Sequence, residues 1–116
     1  MSLIPQLRRP VEPEYAQALV VTRIALSSAC DRLANCRSSR LPGRAVGSLC
    51  DLQRATDHLR RAQGPGTRRA HAQLIEALDE LQDDIAELAR HGGPSDAILR
   101  SRGLARAERA LSRLAA

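Results

Sequence analysis

Apolar residues recur at alternating spacings of three and four residues in four separate segments of this 116-residue chain. Such spacing places them on one side of an α-helix, as in bundles of nearly antiparallel helices. The four stripes are Tyr15, Leu19, Thr22, Leu26, Ala29, Leu33 and Cys36; Ala45, Leu49, Leu52, Thr56, Leu59 and Gln63; His71, Leu74, Leu78, Leu81, Ile85 and Leu88; and Leu104, Ala107, Leu111 and Leu114. With one Tyr and no Phe or Trp, the core must consist of aliphatic side chains, and the pattern predicts an all-α fold.

Three stretches that combine Gly and Pro separate the segments, namely "RLPGR", "QGPGT" and "HGGPS". The predicted helices therefore cover about 14–39, 44–63, 67–91 and 95–115. Because such short breaks make consecutive helices antiparallel, we expect an up-down-up-down antiparallel four-helix bundle. The bundle is expected to span residues 13–116, after a flexible N-terminal arm at 1–12 that has no signal-peptide character.

Several residues fit the expected helix ends. Pro13 suits a first helical position, Thr67 and Ser95 are candidate N-caps, and Gly92 stands where a C′ glycine belongs. Gly47 and Gly103 lie inside predicted helices, where glycine costs about 1 kcal/mol relative to Ala. That cost is tolerable if they permit two helices to approach closely, although either position could be neutral.

The charge is positive and unevenly distributed. The net charge is +5, and all 18 basic residues are Arg. Residues 67–91 carry a net charge of −3 and the rest of the chain +8. A basic surplus of this kind favours polyanions, chiefly nucleic acids.

Two charged ridges follow the same spacing of four, three and four residues. The basic ridge is Arg102, Arg106, Arg109 and Arg113, and the acidic ridge is Glu76, Glu80, Asp83 and Glu87. Each lies opposite the apolar stripe of its own helix, so we expect both to face outward and not to pair with each other. Either ridge can be simply solvated, can bind a partner, or can join copies head to tail.

From these features we expect a non-enzymatic protein that binds nucleic acid through arginines. Without aromatic side chains to stack on bases, binding would rest on phosphate contacts of low sequence specificity, with Arg40 and Arg44 beside the first break extending the surface. The alternative is a protein-interaction or structural module in which the acidic ridge docks a basic protein partner.

Helix one carries a second apolar cluster, Val20, Val21 and Ile24, roughly opposite its leucines. This cluster indicates a homo-oligomer interface, unless the helix is simply sunk more deeply between its neighbours.

Little in the sequence points to chemistry. Cys30, Cys36 and Cys50 show no Cys-x-x-Cys spacing, and His71 falls on the apolar stripe of its helix, so we expect no metal, no cofactor and no catalytic residue. No apolar run is long enough to cross a membrane. An odd number of cysteines without a secretory signal favours a cytoplasmic location.

The order of "RLPGRAVGSLCDLQRA", "RRAHAQLIEALDELQDDIAELARHG" and a final helix resembles the four-helix accessory proteins (accessory variability determinants) of diversity-generating retroelements. The resemblance spans residues 14–115. It implies a basic homo-oligomeric barrel that binds a reverse transcriptase and its template RNA, with Arg40, Arg44 and the outward arginines as contacts.

Overall fold

The computed structural model describes residues 13–34, 41–62 and 68–115, which are almost entirely helical and contain no strand. The helices are α1 (Pro13–Ala34), α2 (Leu41–Arg61), α3 (Arg68–His91) and α4 (Arg102–Ala115), with a 3₁₀ helix at Ser95–Arg100 between the last two. The prediction of four α-helices is therefore confirmed. The predicted arm at 1–12, the extension of helix one to 39 and the candidate cap Thr67 lie outside the described residues.

Two predicted helix starts are wrong. Helix α2 begins at Leu41 instead of 44, since Pro42 is tolerated in a first turn, where its missing N–H has no intrahelical acceptor. The last segment is not one helix from 95: it forms the 3₁₀ helix, and Ser101 interrupts it with extended backbone (φ −73°, ψ 149°). The Ser101 hydroxyl accepts the N–H of Leu104 at 3.2 Å and so caps α4, the role that we had expected of Ser95.

The C-terminal end of α3 is as predicted. Gly92 has a φ of +76°, and its N–H donates to the carbonyl oxygen of Leu88 at 2.8 Å. This is the left-handed C′ conformation that glycine adopts without steric cost.

All four helices contribute to one core. The described members of the predicted stripes are buried, apart from Leu49 and Leu88, which are half-buried and pack at its edge. The core also takes in alanines beside the stripes and Ile98 of the 3₁₀ helix; the added alanines are Ala18, Ala25, Ala55, Ala77 and Ala110. Buried Thr22 and Thr56 are satisfied by donating to the carbonyl oxygens of Ala18 and Leu52, one turn earlier.

Consecutive helices pack closely against each other, whereas α1 and α4 contact each other much less. The 3₁₀ helix packs on α1, and a groove of about 330 Å³ remains between α1 and α4. In contrast, α3 and α4 are very close at Gly103, where an added Cβ would lie 2.9 Å from the backbone nitrogen of Leu81. Of the two alternatives left open for Gly103, a close helix approach and a neutral position, the structure shows the close approach. In the described part of the chain, no helix is long and apolar enough to cross a membrane.

Candidate nucleic-acid interface

The four arginines of the basic ridge on α4 are not equivalent. Arg102 and Arg109 are exposed and make no ion pair or hydrogen bond with the described residues. Arg106 and Arg113 lie on the side of the ridge that borders α3, because they are turned by about 40–60° from Arg109 around the helix. The ridge thus has two free guanidinium groups and two that reach towards the neighbouring helix.

The expectation that the basic and acidic ridges do not pair is wrong at one position. Arg106 Nη1 lies 2.6 Å from Glu80 Oε1, and both side chains are about one-third exposed. The pairing arises because Gly103 brings the axes of α3 and α4 so close that positions beside the seam reach across it. One of the four arginines is therefore neutralised within the protomer.

A basic groove lies between α3 and α4. Its volume is about 170 Å³, and it is lined by Gln73, Arg106, Arg109, Ala110 and Arg113. Arg113 Nη1 donates to Gln73 Oε1 at 3.0 Å, so a neutral amide, not a carboxylate, positions this guanidinium group. Arg109 and Arg113 bring uncompensated positive charge to this groove, whereas Arg106 is paired with Glu80. Their guanidinium N–H groups are donors of the kind that bind a phosphate group.

The two arginines predicted near the first break do not join this groove. Arg40 lies outside the described residues. Arg44 is half-buried and lines a different groove, formed by α1 and α2, together with Arg32 and Arg54. In that groove Arg32 Nη1 is bound to Asp51 Oδ2 at 2.8 Å.

Sequence reasoning had not singled out Arg32 or Arg54. A usable signal was present for Arg54, since Arg44 and Arg54 are ten residues apart and fall within about 80° of each other on α2. No sequence periodicity relates Arg32, on another helix, to Arg44.

The predicted acidic ridge is also divided. Glu76 and Asp83 are exposed and make no ion pair among the described residues. Glu80 is held by Arg106, and Glu87 contacts both Arg90 and His91. The hydrogen bond from Arg90 holds the pKa of the Glu87 carboxyl below its usual range.

A groove with an acidic rim and an apolar floor lies between α3 and the 3₁₀ helix. Its rim includes Glu80, Asp84 and Glu87, and its floor includes Leu88 and Ile98. Partial burial, followed by the nearby carboxylates of Glu80 and Asp83, raises the pKa of Asp84. Arg102 and His91 line the same groove, but Asp84 makes no ion pair with either of them or with any other described residue.

The second apolar cluster of α1 is real but smaller than predicted. Val20 is 56% exposed and Ile24 is 59% exposed. Val21 is half-buried and packs against the core, because it lies about 60° around the helix from Ile24. Val21 thus belongs to the protomer's own packing, and only Val20 and Ile24 are presented to the outside.

His71 has a structural environment. It is buried, and its Nδ1 is hydrogen-bonded to the Tyr15 hydroxyl at 2.8 Å, which joins the first turns of α1 and α3. Burial lowers the pKa of His71 and so favours the neutral imidazole. Within the described ranges, no three His, Cys, Asp or Glu side chains are grouped closely enough to hold a metal ion.

Comparisons of the chain with protein-family models, with curated protein sequences and with solved structures find no match. The functional assignment therefore depends on the side chains just described.

Proposed function

We propose that this chain is a non-enzymatic, homo-oligomeric helical protein that binds nucleic acid through the arginines of α4. The single observation that carries the proposal is the basic groove lined by Arg106, Arg109 and Arg113. The unpaired Arg102 lies on the same ridge of α4, at the edge of the neighbouring acid-rimmed groove. From Arg102 to Arg113 the ridge is about 16 Å long, which spans about five phosphates of one strand in the axial direction.

The architecture included in this proposal is an up-down-up-down antiparallel bundle. Contacts between α3 and α4 support it, because Glu80 meets Arg106 while Gln73, earlier in α3, meets Arg113, later in α4. Contacts between α2 and α3 have the same sense: Gln82 donates to Thr56, and Asp79 pairs with Arg60. In such a bundle the basic groove runs along the outside, where a nucleic-acid backbone has access.

The mode of binding follows from the available groups. Three to four phosphate contacts give a slope of log K against log salt of about −2.7 to −3.6 on a duplex. Because the only aromatic residue, Tyr15, is buried, base stacking contributes nothing, and affinity should vary little with base sequence. The resemblance noted above adds a reverse transcriptase and its template RNA as the proposed partners, and a cytoplasmic location of this chain is part of the proposal.

The test is fluorescence anisotropy with labelled RNA and DNA duplexes between 50 and 200 mM NaCl. The variant Arg102→Ala/Arg109→Ala removes the two unpaired guanidinium groups and breaks no contact in the protomer. We expect at least a tenfold rise in Kd and a slope reduced by about 1.8. The control, Arg54→Ala/Arg61→Ala, removes the same charge from α2 at two exposed arginines that make no ion pair with the described residues, and we expect Kd to change less than twofold. The proposal would be refuted if the two variants changed Kd equally, or if Kd did not depend on the NaCl concentration.

A second candidate function is supported by the acid-rimmed groove. An apolar floor with Asp84, Glu80 and Glu87 at its rim suits a basic amphipathic segment of a protein partner. To select this function, an arginine- and leucine-rich helical peptide should bind wild type and lose its affinity with Asp83→Lys/Asp84→Lys, while RNA binding is undetectable. Glu80 is left intact in this variant so that the Arg106 contact is retained.

A further inference from the structure

An exposed face of α1 follows a second regular pattern. Its members are Ala16, Val20, Arg23, Ser27, Cys30 and Ala34, at spacings of four, three, four, three and four. All are exposed except Cys30, which is half-buried. This stripe lies about 100° around α1 from the buried stripe, and exposed Ile24 and Asp31 flank it. Such spacing is typical of a helix that packs against another helix, yet none of the helices in the described part of the chain covers this stripe.

The same face opens into the groove between α1 and α4. That groove is floored by Leu26, Leu104 and Leu111, and its α1 wall is Arg23, Ser27, Cys30 and Asp31. Here α1 and α4 contact each other much less than consecutive helices do. The exposed face and the groove therefore form one continuous surface of mixed apolar and charged character, on which another helix can lie.

The charges on this surface are self-complementary. Arg23 makes no ion pair with the described residues, and neither do Asp31 nor Glu108, which faces it from α4. Arg23 and Asp31 are eight residues apart on one helix, about 12 Å, too far to pair with each other. One surface thus presents both a guanidinium group and carboxylates that lack partners, which makes it complementary to a second copy of itself, as in an isologous contact.

We propose that this surface binds a second copy of the chain, with the two α1 helices antiparallel and each lying over the α1–α4 groove of the other. The spacing of the stripe reads the same in both directions about Ala25, so reversing one copy superimposes the pattern on itself. Val20 of each copy then faces Cys30 of the other, and Ala16 faces Ala34. Arg23 faces Ser27 of the second copy, one turn from its Asp31. This arrangement specifies the interface of the homo-oligomer that forms part of the proposed function, and the inference rests on that proposed function.

The oligomeric state is measured by light scattering coupled to size exclusion at 10–100 µM. We expect twice the 12.6 kDa mass of one chain for wild type. Ile24→Glu should give the monomer mass with helicity by circular dichroism unchanged. The control is Val46→Glu, which changes an equally exposed apolar residue on α2 (59% for each) and should remain dimeric. A monomeric wild type, or equal effects of both variants, overturns the interface.

Charge exchange tests the complementarity directly. Arg23→Asp alone should raise the dimer Kd at least tenfold, because each copy then faces like charges. Arg23→Asp/Asp31→Arg should restore the dimer, since the two charges merely change places. If the dimer Kd of the double variant is as high as that of the single variant, Arg23 of one copy does not lie near Asp31 of the other.

Disulfide trapping tests the antiparallel arrangement. In a Cys36→Ser/Cys50→Ser background, Val20→Cys should give a covalent dimer on oxidation through the native Cys30. Positions 20 and 30 of one chain are about 15 Å apart along the helix, so they cannot join within a protomer. A dimer through Cys30 alone would indicate parallel helices and overturn the arrangement.

The two proposals fail separately, because mass and RNA affinity are measured on the same preparations. A dimer that does not bind RNA refutes nucleic-acid binding and supports the α1 interface. A wild-type monomer that binds RNA refutes the α1 interface and supports nucleic-acid binding.

Discussion

Adding one methyl group at Gly103 should separate two helices that now touch. A Cβ at this position lies 2.9 Å from the backbone nitrogen of Leu81, 3.1 Å from its Cα and 3.4 Å from the carbonyl oxygen of Ala77. These are backbone atoms of α3, which cannot rotate aside as a side chain can. The matched control is Gly47, where a Cβ meets only Nη1 of Arg32 at 3.3 Å, the far end of a side chain that can shift by a few tenths of an ångström while it stays bound to Asp51.

The magnitudes decide the direction of each change. Replacing Gly with Ala inside a helix stabilises by about 1 kcal/mol, and by less in a first turn such as that of Gly103. Overpacking costs about 1–3 kcal/mol. We therefore expect Gly103→Ala to lower the free energy of unfolding by about 1 kcal/mol, and Gly47→Ala to raise it by about 0.5–1 kcal/mol. For a chain of this length, 1 kcal/mol corresponds to about 4–5 °C in Tm.

Urea unfolding followed by circular dichroism at 222 nm measures both variants. Gly103→Ala should also weaken RNA binding, because the α3–α4 approach sets the positions of Arg106 and Arg113 against Glu80 and Gln73. If Gly103→Ala is as stable as Gly47→Ala, the close approach of α3 and α4 is refuted.

Three further predictions concern buried or partly buried groups. Because burial lowers the pKa of His71, the unfolded chain binds the proton more readily than the folded chain, and the free energy of unfolding should fall as pH drops through 6.5. Urea unfolding between pH 5 and pH 7.5 should show a smaller fall for His71→Gln than for His58→Gln. The Ser48 hydroxyl is buried without a hydrogen-bond partner in the described structure. Ser48→Ala should therefore raise the free energy of unfolding by about 1 kcal/mol and raise Tm with it. A lower Tm would contradict this prediction. The pKa of the Cys30 thiol is raised, first by burial and then by the carboxylates of Glu108 and Asp31. Iodoacetamide should therefore label Cys30 more slowly than exposed Cys50, as measured by peptide mapping. Equal labelling rates would contradict the prediction.

The parts of the fold that depend on local spacing were predictable from sequence. Leu74, Leu78, Leu81 and Ile85 recur at helical intervals, and all four are buried as expected. Gly92 was correctly placed because a left-handed residue after a helix has few alternatives to glycine. Local signals of this kind need no knowledge of neighbouring helices.

The errors arose where a tertiary contact decided the outcome. The break at Ser101 was missed because Asp96, Ile98 and Arg100 are compatible with either an α-helix or a 3₁₀ helix. The Arg106–Glu80 pair was rejected because a single-helix projection cannot show how close Gly103 brings α3. For the same reason the basic ridge could be predicted from the sequence, but the contribution of Gln73 to the groove beside it could not.

The pairing of Tyr15 with His71 gives the molecule a built-in optical reporter. Tyr15 is the only tyrosine in a chain without Trp or Phe, so near-ultraviolet absorption and intrinsic emission come from one buried ring. That ring lies 5.5 Å from the imidazole of His71, at the point where α1 meets α3. Loss of the tyrosine signal ahead of helicity during unfolding would mean that α1 detaches first. Superimposable curves would mean that the four helices melt as one cooperative unit.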